Sequence, residues 1–344
     1  MAGIACAGNW IVDAVKFIDT WPGRGELANI LDEKHGGGGS PHNVLTDIAK
    51  LKLDIPLYGI GCVGGDSYGE FLREHCRTLG IDSEMLVALD DYPTSYTDVM
   101  TLQGSGERTF FHARGANALF NPDHVSIDKL VEKKINIFHF GYLLLLDSMD
   151  EPDPEFGTVA GRLLHQVKEA GIETSIDVVS ESSDRFSKIV LPTLPYVDYC
   201  IINEVEAEKI TGIEIRGKKG INRKALEQAA AKVIEKGVSK TVVIHFPEGS
   251  IWMDTSNGAT VHPSYHVADS DILSSVGAGD AFCAGILAGI YEEWGPEEAL
   301  KTASAIACAC LFEASATGGI CPLTDVKSKI GEKYRFREPN QTFL

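Results

Sequence analysis

The chain has 344 residues, 44% of them hydrophobic and 23% charged, the make-up of a soluble globular protein with room for one large domain or two ordinary ones. Its 31 basic and 49 acidic residues give a net charge of −18, which argues against a general nucleic-acid or anionic-membrane partner. No segment reaches the length needed to span a bilayer, and the opening MAGIACAGNWIVD lacks a basic region before an apolar core, so a cytoplasmic location is expected.

Along the chain, short apolar runs alternate with longer helical patterns: a strand at 3–8, a helix at 41–52, a strand at 55–60, a helix at 66–79, a strand at 135–140 and a helix at 157–170. Strands at 172–178 and 197–202, a helix at 222–236 and a strand at 240–246 follow. The alternation predicts an α/β protein with a mainly parallel sheet flanked by helices. From 277 onward, two or three helices close the chain before a polar tail after about Lys333.

Residues 12–34 and 92–114 break this rhythm, as in SYTDVMTLQGSGERTFFHARG, where two strands flank Gly104-Ser105-Gly106. Both segments leave and re-enter the α/β pattern, so a small β-sheet built from the two, able to act as a lid, is the economical reading. It leaves 1–11, 35–91 and 115–332 as an α/β core, and 333–344 as a tail. Tyr96, Val99, Phe110 and Phe111 read as an exposed apolar face through which two lids could pair in a homodimer.

Eight cysteines, at 6, 62, 76, 200, 283, 308, 310 and 321, lie mostly in apolar runs without a Cys-x-x-Cys pair and read as small buried residues free of disulfides. His262 and His266 are four apart, but Pro263 spoils a helix face and no third ligand is near, so zinc is not expected there.

Several glycine-rich stretches compete for attention. GIEIRGKK at 212–219 has the spacing of a phosphate loop, yet Lys219 stands where a Ser or Thr must hold magnesium, and no strand leads into it. GIGCVG at 59–64 fits the dinucleotide fingerprint after a strand, with Asp82 at a suitable distance for a ribose, and supports a dehydrogenase alternative. Asp66, in the first turn of the next helix, opposes it, because a pyrophosphate would have to bind there. In GGGGS at 36–40, Ser40 and Pro41 read as N-cap and first residue of the helix 41–52, so the glycines abut an ordered helix instead of forming a linker.

Two stretches carry chemistry. In SSVGAGDAF at 274–282, Gly277, Ala278 and Gly279 leave the first amides of an apolar helix bare for an anion, and Asp280 either accepts a proton from an attacking hydroxyl or simply complements the helix dipole. In INEVEAE at 202–208, Asn203 and Glu206 form a near capping box, hold magnesium through water, or do both.

Together these pieces resemble the ribokinase-like (PfkB) carbohydrate kinases over almost the whole chain: GNWIVD at 8–13, GGSPHNVL at 38–45, GIGCVGGDSYG at 59–69, Asn-x-x-Glu at 203–206 and GAGD at 277–280, in order and at the right spacing. The resemblance implies a three-layer α/β/α sandwich with a β lid. It implies that Asp13, Gly38, Gly39 and Asn43 contact a sugar, that 277–279 form an anion hole, and that Asp280 is the general base. Asn203 and Glu206 would bind nucleotide and position magnesium, and His245 and Gly249 would lie by the nucleotide, while His112 and Arg114 on the second lid strand could face the acceptor.

Three departures stand out. Ser274 occupies a position where relatives usually have an Asp tied to a monovalent cation, which leaves potassium dependence open. His245-Phe246-Pro247-Glu248-Gly249 replaces a Thr-Leu-Gly-type turn, and Asp177 lacks the Asn and Arg that often follow it. The expected activity is ATP-dependent phosphorylation of a hydroxymethyl group on a sugar or sugar-like molecule, with magnesium. A nucleoside kinase of the same superfamily and a non-catalytic sugar- or nucleotide-binding relative remain as alternatives.

Overall fold

Alternate residues of a strand face opposite ways, and here both faces of the main strands are apolar, so the sheet they form must be covered on both sides. The computed structural model, which describes residues 2–104, 107–181, 183–218, 220–255 and 258–338, has that architecture. Ser105 and Gly106 of the predicted turn, Lys219 and the tail beyond 338 lie outside the described residues.

The first half of the chain contains β1 (Gly3–Gly8), β2 (Ile11–Ile18), β3 (Ile30–Gly38), α1 (Ser40–Leu51), β4 (Leu57–Gly64), α2 (Ser67–Leu79), β5 (Asp82–Leu89), β6 (Tyr96–Leu102), β7 (Arg108–Ala113), α3 (Ile127–Glu132) and β8 (Ile135–Leu143). A two-residue ribbon, β9 (Pro152–Asp153) and β10 (Gly157–Thr158), leads into α4 (Val159–Glu169), β11 (Glu173–Val178), α5 (Phe186–Thr193), β12 (Tyr199–Asn203) and α6 (Glu204–Thr211). A second ribbon, β13 (Arg216–Gly217) and β14 (Gly220–Ile221), precedes α7 (Arg223–Glu235), β15 (Thr241–Phe246), β16 (Gly249–Asp254), β17 (Gly258–Pro263), α8 (Ala278–Tyr291), α9 (Pro296–Cys310) and α10 (Leu323–Lys333).

The large sheet runs β17-β16-β15-β12-β11-β8-β1-β4-β5, parallel from β15 to β5 and antiparallel in its β15-β16-β17 edge. Ala5, Ala7, Val242 and Ile244 face one core with α4, α5, α6 and α7, while Ile4, Cys6, Ile201 and Val243 face another with α1, α2, α8, α9 and α10. This is a ribokinase-like α/β/α sandwich. Among the described residues, no helix is long and apolar enough to cross a membrane. All eight cysteines carry free thiols.

The segments that break the α/β rhythm form a separate four-stranded sheet, β3-β2-β6-β7. In its register Asp13 sits opposite Thr97, Thr97 opposite His112, and Val99 opposite Phe110. The expected apolar face needs correction. Val99 and Phe110 share the side of the sheet that carries Asp13, Tyr96 and Phe111 lie on the other, and Val99 is buried. A period of two separates residues that a count of exposed apolar side chains lumps together.

Other readings also shift. The N-cap of α1 is Gly39, with Ser40 inside the helix, because the Ser40 hydroxyl donates to Asp177 instead of capping. Gly59 and Gly61 of the fingerprint-like GIGCVG lie inside β4, and Asp66 is the N-cap of α2, accepting from Gly69 N at 2.9 Å and from Thr94 N at 2.8 Å. No turn is available to cradle a pyrophosphate, which removes the basis of the dehydrogenase alternative. The edge strands β5 and β17 are hidden from the sequence pattern because they carry polar residues on a solvated face, and β16 because an antiparallel hairpin follows no α/β alternation.

Candidate active site

In open parallel sheets the ends of the strands create a crevice, and the carboxyl ends of β8, β11, β12 and β15 deliver Tyr142, Asp177, Asn203 and His245 into one. The cavity there has a volume of about 280 Å³ and is lined by these four together with Glu206, Gly277, Gly279, Asp280 and Cys283. The N-terminus of α8 forms one wall. Its N-cap, Gly277, has φ 84°, and a β-carbon there would collide with the Ala316 backbone, so only glycine fits. The Ala278 amide turns back to Ser275 O at 3.2 Å, whereas the Gly277 and Gly279 amides have no protein acceptor among the described residues.

Asp280, in the first turn of α8, is buried. Its Oδ2 accepts from Asn43 Nδ2 at 2.8 Å and from the Tyr142 hydroxyl at 3.2 Å. Burial, reinforced by the nearby charge of Asp177, pushes its carboxyl up to about 7 despite those two donors. Burial also holds the Tyr142 phenol well above its ordinary range, so it stays a donor. Asp13, half-buried on β2, is raised to about 6 by burial, against the lowering effect of its hydrogen bond with Thr97, and adds to the negative field at Asp280.

Where the small sheet meets α1, the structure brings Asp13, Gly38, Gly39, Asn43 and His112 together. Gly39 has φ 86°, and a β-carbon there would strike the Asn9 carbonyl, while one at Gly38 would strike the Asp13 carboxylate. His112 Nδ1 lies 3.0 Å from Thr97 Oγ1, in the same row as Asp13. Arg114 lies near His112 with its charge engaged by a carboxylate. It stands one residue beyond β7, with its guanidinium paired to Asp147 at 2.5 Å and near Leu145 O. The carboxylate at 147 captures it, a partner that local sequence could not reveal.

At the start of α6 Asn203 and Glu206 form a full capping box. Asn203 Oδ1 accepts from Glu206 N at 2.9 Å and Glu206 Oε2 accepts from Asn203 N at 2.9 Å, with Ser180 Oγ donating to Oε1 at 2.7 Å. Burial pushes Glu206 up to about 7. His245 lines the cavity, and burial pulls its pKa down to about 4, leaving it neutral. Gly249 is buried in a tight hairpin opposite Phe246 and does not line the cavity. Its neighbour Glu248 is held by Arg216 at 2.8 Å. Ser274 is buried with its hydroxyl 3.5 Å from Arg108 on β7, a contact that spans the cleft between the small sheet and α8.

Tyr142 and Ser40 were not singled out as site residues by sequence. Tyr142 ends a central parallel strand, as Asn203 does, but what aims it at Asp280, 138 positions away, is not written locally. Its φ of 61° is visible only in three dimensions.

Residues 1–321 match the pfkB family of carbohydrate kinases. The chain is 26% identical over 337 residues to a probable chloroplastic fructokinase of Arabidopsis thaliana, covering 96% of this chain and 81% of that protein. Its fold is similar to the ribokinase of Arabidopsis thaliana in complex with ribose and ATP, at a TM-score of 0.78 and 23% identity, covering 95% of this chain and 98% of the other. It is similar also to a ribokinase II of E. coli in complex with ATP and magnesium, at a TM-score of 0.77 and 18% identity, covering 96% and 100% of the two chains.

Proposed function

The chain belongs to the pfkB family of carbohydrate kinases, and from that premise we propose that it transfers the γ-phosphate of ATP to a hydroxymethyl group of a neutral sugar or sugar-like polyol, with Asp280 as general base. The observation that carries this reading is the environment of Asp280, a buried carboxyl held near neutrality by burial, aimed by two donors, and set beside bare helix amides. A base whose pKa lies near the working pH combines adequate ionisation with adequate strength. The Gly277 and Gly279 amides, with the positive end of α8, would bind the charge that develops on the transferred phosphoryl group.

Asp13, His112 and Thr97, in one row of the small sheet, would bind acceptor hydroxyls from above while Asn43 approaches from α1. The neutrality of the acceptor is supported by charge. Asp13, Asp177 and Asp280 surround its place, and Arg114, the cation nearest in sequence to the row, is engaged by Asp147. A phosphorylated or carboxylated acceptor would meet repulsion there.

The oxygen donors of Glu206 and Asp177 line the cavity, which fits a hard, oxygen-seeking cation. Glu206 and Asn203 would hold magnesium through water, and the ion would supply charge neutralisation of the phosphates. Movement of the small sheet toward α8, along the line of the Arg108–Ser274 contact, would exclude water from the cleft. The reading is tested by ATP consumption against neutral sugars, sugar acids, sugar phosphates and nucleosides. Turnover confined to a neutral sugar and lost in Asp280→Asn supports it, and preference for a phosphorylated or nucleoside acceptor overturns the substrate class.

A further inference from the structure

Beneath the cavity three side chains from three elements converge, and two of them, a buried imidazole and a buried thiol, have no task in the phosphoryl transfer proposed above. They are His139 of β8, Asp177 at the end of β11 and Cys283 of α8, all buried. His139 Nε2 lies 3.4 Å from Asp177 Oδ2 and 3.8 Å from Cys283 Sγ, and the three ligand atoms are all within 4.8 Å of one another. Among the described residues no other trio of His, Cys, Asp or Glu meets that condition. A tetrahedral zinc with bonds of about 2.0 Å to nitrogen and oxygen and about 2.3 Å to sulfur sets its N···O and N···S edges at roughly 3.3 and 3.5 Å. The two edges from His139 need only a few tenths of an ångström of adjustment, and the Asp177–Cys283 edge, within 4.8 Å, closes to roughly 3.5 Å on binding.

The surroundings are also those of a ligand set. His139 Nδ1 is 3.1 Å from Ser175 Oγ, a contact that orients the ring and directs Nε2 at the trio. Asp177 Oδ1 accepts from the Tyr142 amide at 2.5 Å, which fixes the carboxylate so that Oδ2 faces inward; the Ser40 hydroxyl, which donates to that Oδ2 and lies 3.5 Å from His139 Nε2, rotates aside when the metal binds. Asp177 and Cys283 line the cavity, so a fourth coordination position opens toward the reacting groups.

We propose that His139, Asp177 and Cys283 form a binding site for a thiophilic divalent cation, zinc by class, with three protein ligands and one position open to the cavity. Binding exchanges one proton: the Cys283 thiol gives up its hydrogen to solvent and the sulfur lone pair forms the metal–sulfur bond, with no change of oxidation state. Magnesium does not compete, because it seeks six oxygen ligands and shuns thiolate. Zinc at this position adds two positive charges beside Asp280 and blocks the floor of the cleft, so micromolar zinc inhibits the enzyme in the presence of excess magnesium.

The test uses the full-length, metal-free protein titrated with cobalt(II) and then with zinc, in excess magnesium. The expected result is one cobalt with an intense tetrahedral visible spectrum and a thiolate charge-transfer band, displaced by one equivalent of zinc. Cys283→Ala abolishes the charge-transfer band, Cys283→Ser and His139→Gln weaken zinc at least about 10-fold, and Cys6→Ala, a neighbouring buried thiol, changes neither. A weak octahedral spectrum in the unmodified protein overturns the proposal regardless of how any variant folds. So does a charge-transfer band that survives in Cys283→Ala, or zinc affinity unchanged across the ligand variants. These binding measurements stand whether or not the acceptor proposed above is correct.

Discussion

The amide of Asn43 donates to the carboxylate of Asp280 over 2.8 Å, joining the first turn of α1 to the first turn of α8 across 237 positions of sequence. A donor aimed at a carboxylate favours its charged form, so this bond offsets part of the burial that raises Asp280. Asn43→Ala should therefore move the acid limb of kcat/KM upward by roughly one pH unit. The pH profile checks this. An acid limb that stays in place while activity falls would assign Asn43 to acceptor binding alone.

Asp280→Asn should lower turnover by about 10²–10⁴ while leaving acceptor affinity nearly unchanged. It should also stabilise the protein in alkali. The folded-state carboxyl titrates near 7 against 3.8 for the ordinary group, so between those values the folded protein holds a proton that the unfolded chain has lost. This group's contribution is whole below about pH 4 and disappears as pH rises through 7. Removing the charge restores up to about 4 kcal/mol at pH 8 and nothing near pH 4. Denaturant melts at the two pH values decide it, and a variant less stable at pH 8 would contradict the raised pKa.

His42 lies between Asn43 and His75: its Nδ1 is 3.3 Å from Asn43 Oδ1, and its Nε2 is 2.9 Å from His75 Nδ1. Burial pulls the His42 pKa down to about 3, so the ring is neutral and its tautomer can hold the Asn43 amide with the NH₂ turned to Asp280. His42→Ala should reduce kcat about 10-fold with a smaller change in acceptor KM, whereas His75→Ala should do less. An equal rise in KM for both would mean that the pair only packs.

Gly39→Ala places a β-carbon against the Asn9 carbonyl at a backbone φ of 86°. The expected loss is roughly 3 kcal/mol or more, and with it most soluble expression. Gly36→Ala, which meets nothing within 4 Å, is the matched control and should stay within about 1 kcal/mol of the parent in thermal melts.

The parallel core was legible because buried strands such as β12 and β15 are continuous apolar stretches, whose hydrophobicity has few other physical meanings. Asn203, Glu206, Gly277 and Asp280 were legible because each lies beside a helix start, where short-range chemistry constrains residue type. Tyr142 and the Asp147 that captures Arg114 were not. Both depend on contacts between distant segments, as does the fate of Ser40, whose hydroxyl finds Asp177 137 positions away. The strand β16 that follows the 246–249 turn was hidden for a related reason, since an antiparallel edge added to a parallel sheet follows no α/β alternation.

Asn117 has a consequence of its own. Its side chain donates to Trp10 O at 2.8 Å and to Asn9 Oδ1 at 3.0 Å and accepts from Trp10 N at 3.2 Å, while its amide donates to Ser95 Oγ at 3.2 Å. One buried residue thus ties together the two places where the chain passes from the large sheet into the small one. Those ties make a crease, and the row Asp13, Thr97 and His112 lies beyond it on a single hydrogen-bonded board. On the proposed reading, a swing about the crease would deliver the acceptor contacts and the water shield in the same stroke. Selection acting on one therefore acts on the other, and a change of acceptor would most economically come from replacing side chains along that row while the crease stays as it is.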